Sequence, residues 1–316
     1  MLYLAAIGGF VLLFAGGELL VRGAVSVARR AGVSKLLIGM TVVAAGTSAP
    51  ELLVSLRAAG VGQPDIAIGN VVGSNIANIL LILGAAAMLS PIVVDVREIR
   101  RDVWVLLAAS VGLIGVVNDR LISGFEGAVM AGLLVAYVVW SYWLEVYRSS
   151  PVAELHVHEA EEFAGVTDKL AFGLLYLAVG LGMLVGGSEL LIVGATGIAR
   201  MLGIPEAVVG LSIVAVGTSL PELATSVTAA LRGHSDVAVG NVVGSNIFNV
   251  MLILGATALV QPIPVSEAMA STDVLVALGT AVLLAPLLLV RGRIGRVTGA
   301  VFLGLYAAYI GWLYLG

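Results

Sequence analysis

"GTSAPELLVS", Gly46 to Ser55, puts a glutamate, Glu51, directly after a proline inside an otherwise apolar run. "GTSLPELATS", Gly217 to Ser226, does the same with Glu222. An ionisable side chain inside a membrane span costs from roughly 3 kcal/mol on insertion scales to more than about 10 in simulations, so it is read as functional and as facing a bundle interior or a polar path. Pro50 has no N–H, so the carbonyl of Gly46 loses its helical partner, and Pro221 does the same to Gly217. Broken backbone at membrane depth is tolerated only where protein or a wet cavity satisfies it. Thr47, Ser48, Thr218 and Ser219 place hydroxyl oxygens beside the two breaks. Carboxylates, hydroxyls and freed carbonyls are hard donors, which suit Ca²⁺ and Na⁺ better than softer metals.

The rest of the composition agrees with a membrane setting. The 316 residues are 60% hydrophobic and 11% charged, with a mean hydropathy of +1.10. Soluble domains are nearer half apolar and a quarter charged. An all-α polytopic membrane protein, embedded in the lipid bilayer, is expected. The net charge of −4 says little, because most charges fall in short loops. No basic patch points to nucleic acid. The absence of cysteine excludes disulfides and thiolate metal sites. The N-terminus enters an apolar run at once, with no basic n-region, which reads as a retained first span and not a cleaved signal. No GxxxxGK[ST] loop is present, so nothing points to ATP as the driver. Neither a resident cofactor nor a protein partner is expected.

Apolar segments long enough to span fall at 2–28, 36–60, 66–90, 103–117, 121–146, 170–199, 206–231, 236–260, 273–290 and 297–315, ten in all. Sliding the chain by 171 residues aligns Glu51 with Glu222, Asn70 with Asn241 and Pro91 with Pro262. Residues 39–91 and 210–262 then share 31 identities in 53. Chance does not produce that, even in apolar sequence. The chain therefore reads as two homologous halves, 1–146 and 170–316, joined by a linker at 147–169. Five spans per half is an odd number, so the second half enters the membrane inverted, as in secondary transporters with midplane ion sites at broken helices. One set of loops carries twelve of the Lys and Arg residues, among them Arg29, Arg30, Lys35, Arg97, Arg148, Lys169, Arg232 and Arg293. The other carries Arg57, Arg120 and Arg200. The positive-inside rule then puts the linker in the cytoplasm and both termini outside the cell membrane.

A second repeated element is "GNVVGSNIANI" (Gly69 to Ile79) with "GNVVGSNIFNV" (Gly240 to Val250). Its glycines allow close helix approach. Ser74 and Asn78, like Ser245 and Asn249, offer oxygens at i and i+4 on one helical face. The plainer reading is small-residue packing with Ser and Asn as interhelical glue. Two copies in register with two glutamate-proline copies favour a site.

"GTSxPE" followed by "GNxxGSN" in both halves resembles the cation/calcium exchanger superfamily, and within it the branch of sodium/calcium exchangers and their prokaryotic relatives. The resemblance covers essentially the whole chain. It implies ten helices in two inverted halves, with broken helices at a central site of four cation positions that opens alternately to each side. By position it makes Glu51 and Glu222 the shared carboxylate ligands. Thr47, Ser48, Thr218 and Ser219 flank them, with the backbone carbonyls of Ala44 and Ala215. Ser74 and Ser245 complete the shell with Asn78 and Asn249. Potassium-dependent relatives carry acidic residues at one or both of the last two positions, whereas this chain has asparagine at both. The proton/calcium branch generally lacks the proline before its glutamate. The resemblance also implies that the first and sixth segments slide as the gate, and Gly8, Gly9, Gly16, Gly17, Gly180, Gly182, Gly186 and Gly187 suit a smooth sliding surface.

The resulting expectation is a non-enzymatic secondary antiporter, with Ca²⁺ and Na⁺ as transported substrates. Two carboxylates balance one Ca²⁺, and several monovalent ions can take the same oxygens instead. Rival readings are potassium-dependent exchange and H⁺/Ca²⁺ antiport within transport, and a cation channel outside it. A membrane enzyme is disfavoured, because no nucleophile–base pair accompanies the carboxylates. Elsewhere, Glu18 can pair with Arg22 at i+4, while its repeat partner Glu189 has Val193 at that spacing. Glu154, His156, His158, Glu159, Glu161 and Glu162 read as a solvated acidic loop, and His234 as a loop residue without a repeat partner.

Overall fold

The computed structural model describes residues 1–30, 44–148, 170–231, 233 and 235–315. Regular structure among these is helical, apart from four two-residue strands. The helices are α1 (Leu2–Arg30), α2 (Ala49–Gly60), α3 (Pro64–Leu89), α4 (Val96–Asp119), α5 (Gly124–Arg148), α6 (Leu170–Leu202), α7 (Glu206–Thr218), α8 (Leu220–Leu231), α9 (Ser235–Val260), α10 (Met269–Arg291) and α11 (Arg296–Leu315). Among the described residues, eight helices are long and apolar enough to cross a membrane, and the bent pair α7–α8 is a ninth candidate. The expected segment 36–60 is described only from Ala44, as one turn (Ala44–Thr47) followed by α2. Lys35, the linker from 149 to 169 with its glutamates and His156 and His158, and Arg232 and His234 lie outside the described residues.

The fourth helix starts seven residues before the expected 103. Asp95 caps it, its carboxylate accepting from the Arg97 N–H at 2.8 Å. Arg97, Glu98, Arg100 and Arg101 then ride the first turns. A hydropathy window stops where charge begins, but a capped helix does not.

Two helices form the centre. In their most apolar windows α3 is 94% buried and α9 72%, against 22–44% for the other single-helix spans. Each is apolar apart from one stripe of Asn and Ser, which suits a buried helix that carries a polar site. The peripheral helices instead expose large apolar side chains, such as Leu4, Val111, Leu133 and Val282, as a lipid-facing surface requires. The buried apolar residues fall into two clusters. The larger joins α3 to α5 with α8 to α11, and the smaller joins α1, α2 and α6 with the first turns of α3 and with α7.

Four strands tie the loops. β1 (Ile92–Val93) pairs antiparallel with β4 (Arg293–Ile294), and β2 (Leu121–Ile122) with β3 (Ile263–Pro264). β1 and β4 lie in two of the arginine-rich loops, and β2 and β3 in loops of the other set.

α1 and α6 meet backbone to backbone. A Cβ added at Gly9 would lie 2.8 Å from the carbonyl oxygen of Gly187, one at Gly16 2.9 Å from that of Gly180, and one at Gly23 2.8 Å from that of Gly173. These glycines recur every seven residues on one face of each helix. The expected sliding surface is thereby redrawn. Gly8, Gly182 and Gly186 have nothing within 4 Å of such a Cβ and lie off the contact, while Gly17 faces Pro50. Gly23, Gly173 and Gly194 belong to the contact and were not in the expected set.

Candidate cation site

Ser48 and Ser219 break the helices that carry the glutamates. Their backbone angles match closely, with φ −85° and ψ 5° at Ser48 and φ −82° and ψ 9° at Ser219. The chain bends by 49° between α7 and α8. Helical bonding resumes at once, with Leu52 N–H donating to the Ser48 carbonyl at 3.1 Å and Leu223 N–H to the Ser219 carbonyl at 3.0 Å. Proline four residues past each motif glycine, Pro50 after Gly46 and Pro221 after Gly217, denies the chain one ladder bond, and the local turn absorbs the gap. Glu51 and Glu222 sit in the first turns of α2 and α8, each 1% exposed.

One face of α3 runs along both breaks. Asn70 donates to the Glu51 carbonyl at 3.1 Å and to Ser55 Oγ at 3.0 Å, and its Oδ1 accepts from Thr218 Oγ1 at 3.0 Å. One turn on, Ser74 Oγ donates to the Ala215 carbonyl at 3.4 Å. Asn78 is one turn further. α9 repeats the first of these bonds, with Asn241 donating to the Glu222 carbonyl at 3.3 Å and to Ser226 Oγ at 2.9 Å. Ser219 Oγ reaches across the halves to Glu51 Oε1 at 3.4 Å.

Four buried oxygens stand out. Glu51 Oε2, Glu222 Oε2, Asn78 Oδ1 and Asn249 Oδ1 have no hydrogen-bond partner. They form two repeat-related pairs, and every one is an acceptor. A buried polar atom without a partner is rare and calls for an explanation. Four buried acceptors at repeat-related positions, with no donor to meet them, are of the kind that suits a cation. Among the described residues no three His, Cys, Asp or Glu come together, so the charged groups number two.

The remaining expected site residues fall near the same breaks. Ser48 and Ser245 are buried, and Thr47 is half-buried. Ala44 opens the turn before Ser48. The Ala215 carbonyl already accepts from Ser74 Oγ, Thr218 Oγ1 and the Ser219 N–H. Sequence reasoning gave no role to Asn70, Asn75, Asn241 or Asn246, although all four stand inside the repeated motif.

The lesser acidic residues also find places. Glu18 accepts from Arg22 Nε at 2.5 Å, as the i+4 spacing predicts. Glu189, which has no such neighbour on α6, forms an ion pair with Arg57 of α2. The pair borders a cavity of about 360 Å³ with Leu53, Leu56, Val185 and Ser188.

The chain matches the model of the sodium/calcium exchanger protein family over residues 1–143 and 172–315. It is 34% identical to the inner membrane protein YrbG of Escherichia coli, over 97% of this chain and 94% of that one. It is 32% identical to the sodium/calcium exchanger MaX1 of Methanosarcina acetivorans, over 98% and 97% of the two chains. The solved structure of the sodium-calcium exchanger NCX_Mj, 33% identical, superposes with a TM-score of 0.64 and covers 98% of this chain and 99% of that one. The chain therefore belongs to the sodium/calcium exchanger family, whose members are membrane antiporters.

Proposed function

We propose that the chain is a secondary antiporter that exchanges Na⁺ for Ca²⁺ across the cell membrane, at a central site built on Glu51 and Glu222. The observation that carries this is the set of four buried, partnerless acceptors, Glu51 Oε2, Glu222 Oε2, Asn78 Oδ1 and Asn249 Oδ1. Hard oxygen ligands with two negative charges balance one Ca²⁺, or a set of monovalent ions on the same oxygens. Thr47, Ser48, Thr218, Ser219, Ser74, Ser245 and the carbonyls of Ala44 and Ala215 fill out the shell as α1 and α6 move. An empty pair of buried carboxylates is costly in low dielectric, so the protein changes its open side only when loaded. That condition couples the two fluxes.

The same reading has ten spans in two inverted halves, 1–146 and 170–316, with the 147–169 linker in the cytoplasm and both termini outside. Each two-strand ribbon joins loops that the charge count assigns to one side, which supports this arrangement. Asparagine at 78 and 249 adds no third negative charge, so K⁺ has no electrostatic reason to bind.

The test is ⁴⁵Ca²⁺ uptake into proteoliposomes loaded in turn with Na⁺, K⁺ or H⁺ as the only gradient. Uptake driven by Na⁺, at full rate with choline replacing K⁺ on both sides, is expected. Uptake that needs K⁺ replaces the reading with potassium-dependent exchange, and uptake driven by H⁺ alone replaces it with proton antiport. Passage of Ca²⁺ without any counter-ion makes the protein a channel.

A further inference from the structure

Four asparagines close a ring between α3 and α9. Asn78 Nδ2 donates to Asn246 Oδ1 at 2.9 Å, and Asn249 Nδ2 donates to Asn75 Oδ1 at 2.9 Å. Asn246 Nδ2 donates to the backbone carbonyl of Asn75 at 3.2 Å, and Asn75 Nδ2 to that of Asn246 at 3.3 Å. Every bond crosses from one half of the chain to the other.

The ring determines which way each amide faces. A backbone carbonyl can only accept, so the Asn75 and Asn246 amides must turn their nitrogens to it. Their oxygens are thereby left as acceptors. An acceptor must meet a donor, so Asn78 and Asn249 turn their nitrogens inward to the ring. Their own oxygens then point the other way, and these are the two partnerless amide oxygens of the candidate site. The two faces of an amide have nearly the same shape and opposite polarity. An unrestrained Asn78 or Asn249 could present its NH₂, a donor, where its partnerless oxygen now stands.

We propose that Asn75 and Asn246 are positioning residues that hold Asn249 and Asn78 with their oxygens toward the cation, so that the site presents acceptors only. This rests on the reading of Asn78 and Asn249 as ligands. It assigns a specific task to the "GSN" asparagine of each motif. Interhelical glue alone would leave the amide direction at 78 and 249 immaterial.

The experiment is a double-mutant cycle on the full chain in detergent, reading equilibrium Ca²⁺ binding without Na⁺. The variants are Asn75→Leu, Asn249→Leu and the two together. Loss of an outer contact typically weakens a metal site about 10- to 100-fold, and Asn75→Leu is expected to raise the Ca²⁺ Kd by that much. The double variant is expected to bind no more weakly than Asn249→Leu alone, because a positioning residue has nothing left to position. A glue role predicts instead that the two effects multiply. That outcome, or an unchanged Kd in Asn75→Leu, overturns the proposal. Melting without Ca²⁺ identifies a variant that fails to fold, and the mirror cycle, Asn246→Leu with Asn78→Leu, then takes its place. Wild-type protein that exchanges Na⁺ for Ca²⁺ but gives a multiplicative cycle removes only this inference. Wild-type protein that neither binds nor exchanges Ca²⁺ removes the exchange reading itself.

Discussion

Glu51 and Glu222 are the two charged side chains buried at the helix breaks. Glutamine has nearly the same shape, but it removes a full charge and replaces one acceptor by a donor. Each of Glu51→Gln and Glu222→Gln is therefore expected to reduce Na⁺-driven ⁴⁵Ca²⁺ uptake by at least about 100-fold, the upper end of what losing only an outer contact costs a metal site. The variants should still insert and fold, because glutamine keeps the shape of the side chain and an oxygen that can accept from Ser219 Oγ. Wild-type uptake in both variants would take the carboxylates out of the mechanism. These two residues were legible in sequence, since an acidic residue after proline in an apolar run has few structural uses. Arg57 as the partner of Glu189 was not legible, because the two lie on different helices 132 positions apart.

Helices here are shaped by where their regular ladder fails. π-helical segments begin at Asn78 and at Asn249, the last polar residues of each motif. Such bulges are frequent at functional sites, and they shift the register of the following side chains. α1 and α6 depend on a different device, glycine at seven-residue spacing, which lets two backbones touch. At Gly180 an added Cβ would meet Leu20 N at 2.6 Å and the Gly16 carbonyl at 2.8 Å, whereas at Gly182 it would meet nothing. Overpacking of a close contact costs about 1–3 kcal/mol. Gly180→Val is thus expected to lower the melting temperature of the purified protein and to stop exchange, while Gly182→Val leaves both near wild type. Equal melting curves for the two variants would show that the α1–α6 contact is looser than these distances require.

At the level of the assembled bundle, repeat-related residues meet each other. Asn75 and Asn246 are 171 positions apart and exchange hydrogen bonds in both directions. β1–β4 and β2–β3 likewise join one half to the other. The proposed inverted topology can be checked directly, because the chain has no native cysteine. A cysteine at Ser150 is expected to react with an impermeant maleimide only from the cytoplasmic side, and one at Ser266 only from outside. Reaction of both from the same side would refute the inversion.

Composition and periodicity carried the membrane setting, the repeat at 171 residues and the positions of Glu51 and Glu222. Those properties are local or repeat at a fixed interval, so they survive as pattern along the chain. The partners of those residues do not. That Asn75 faces Asn246, that Ser219 reaches Glu51, and that Gly9 but not Gly8 touches α6 are facts of packing between distant segments. An amide shows an oxygen or an N–H according to its neighbours. The ring of four asparagines therefore turns two ambiguous side chains into acceptors only after both halves have folded against each other.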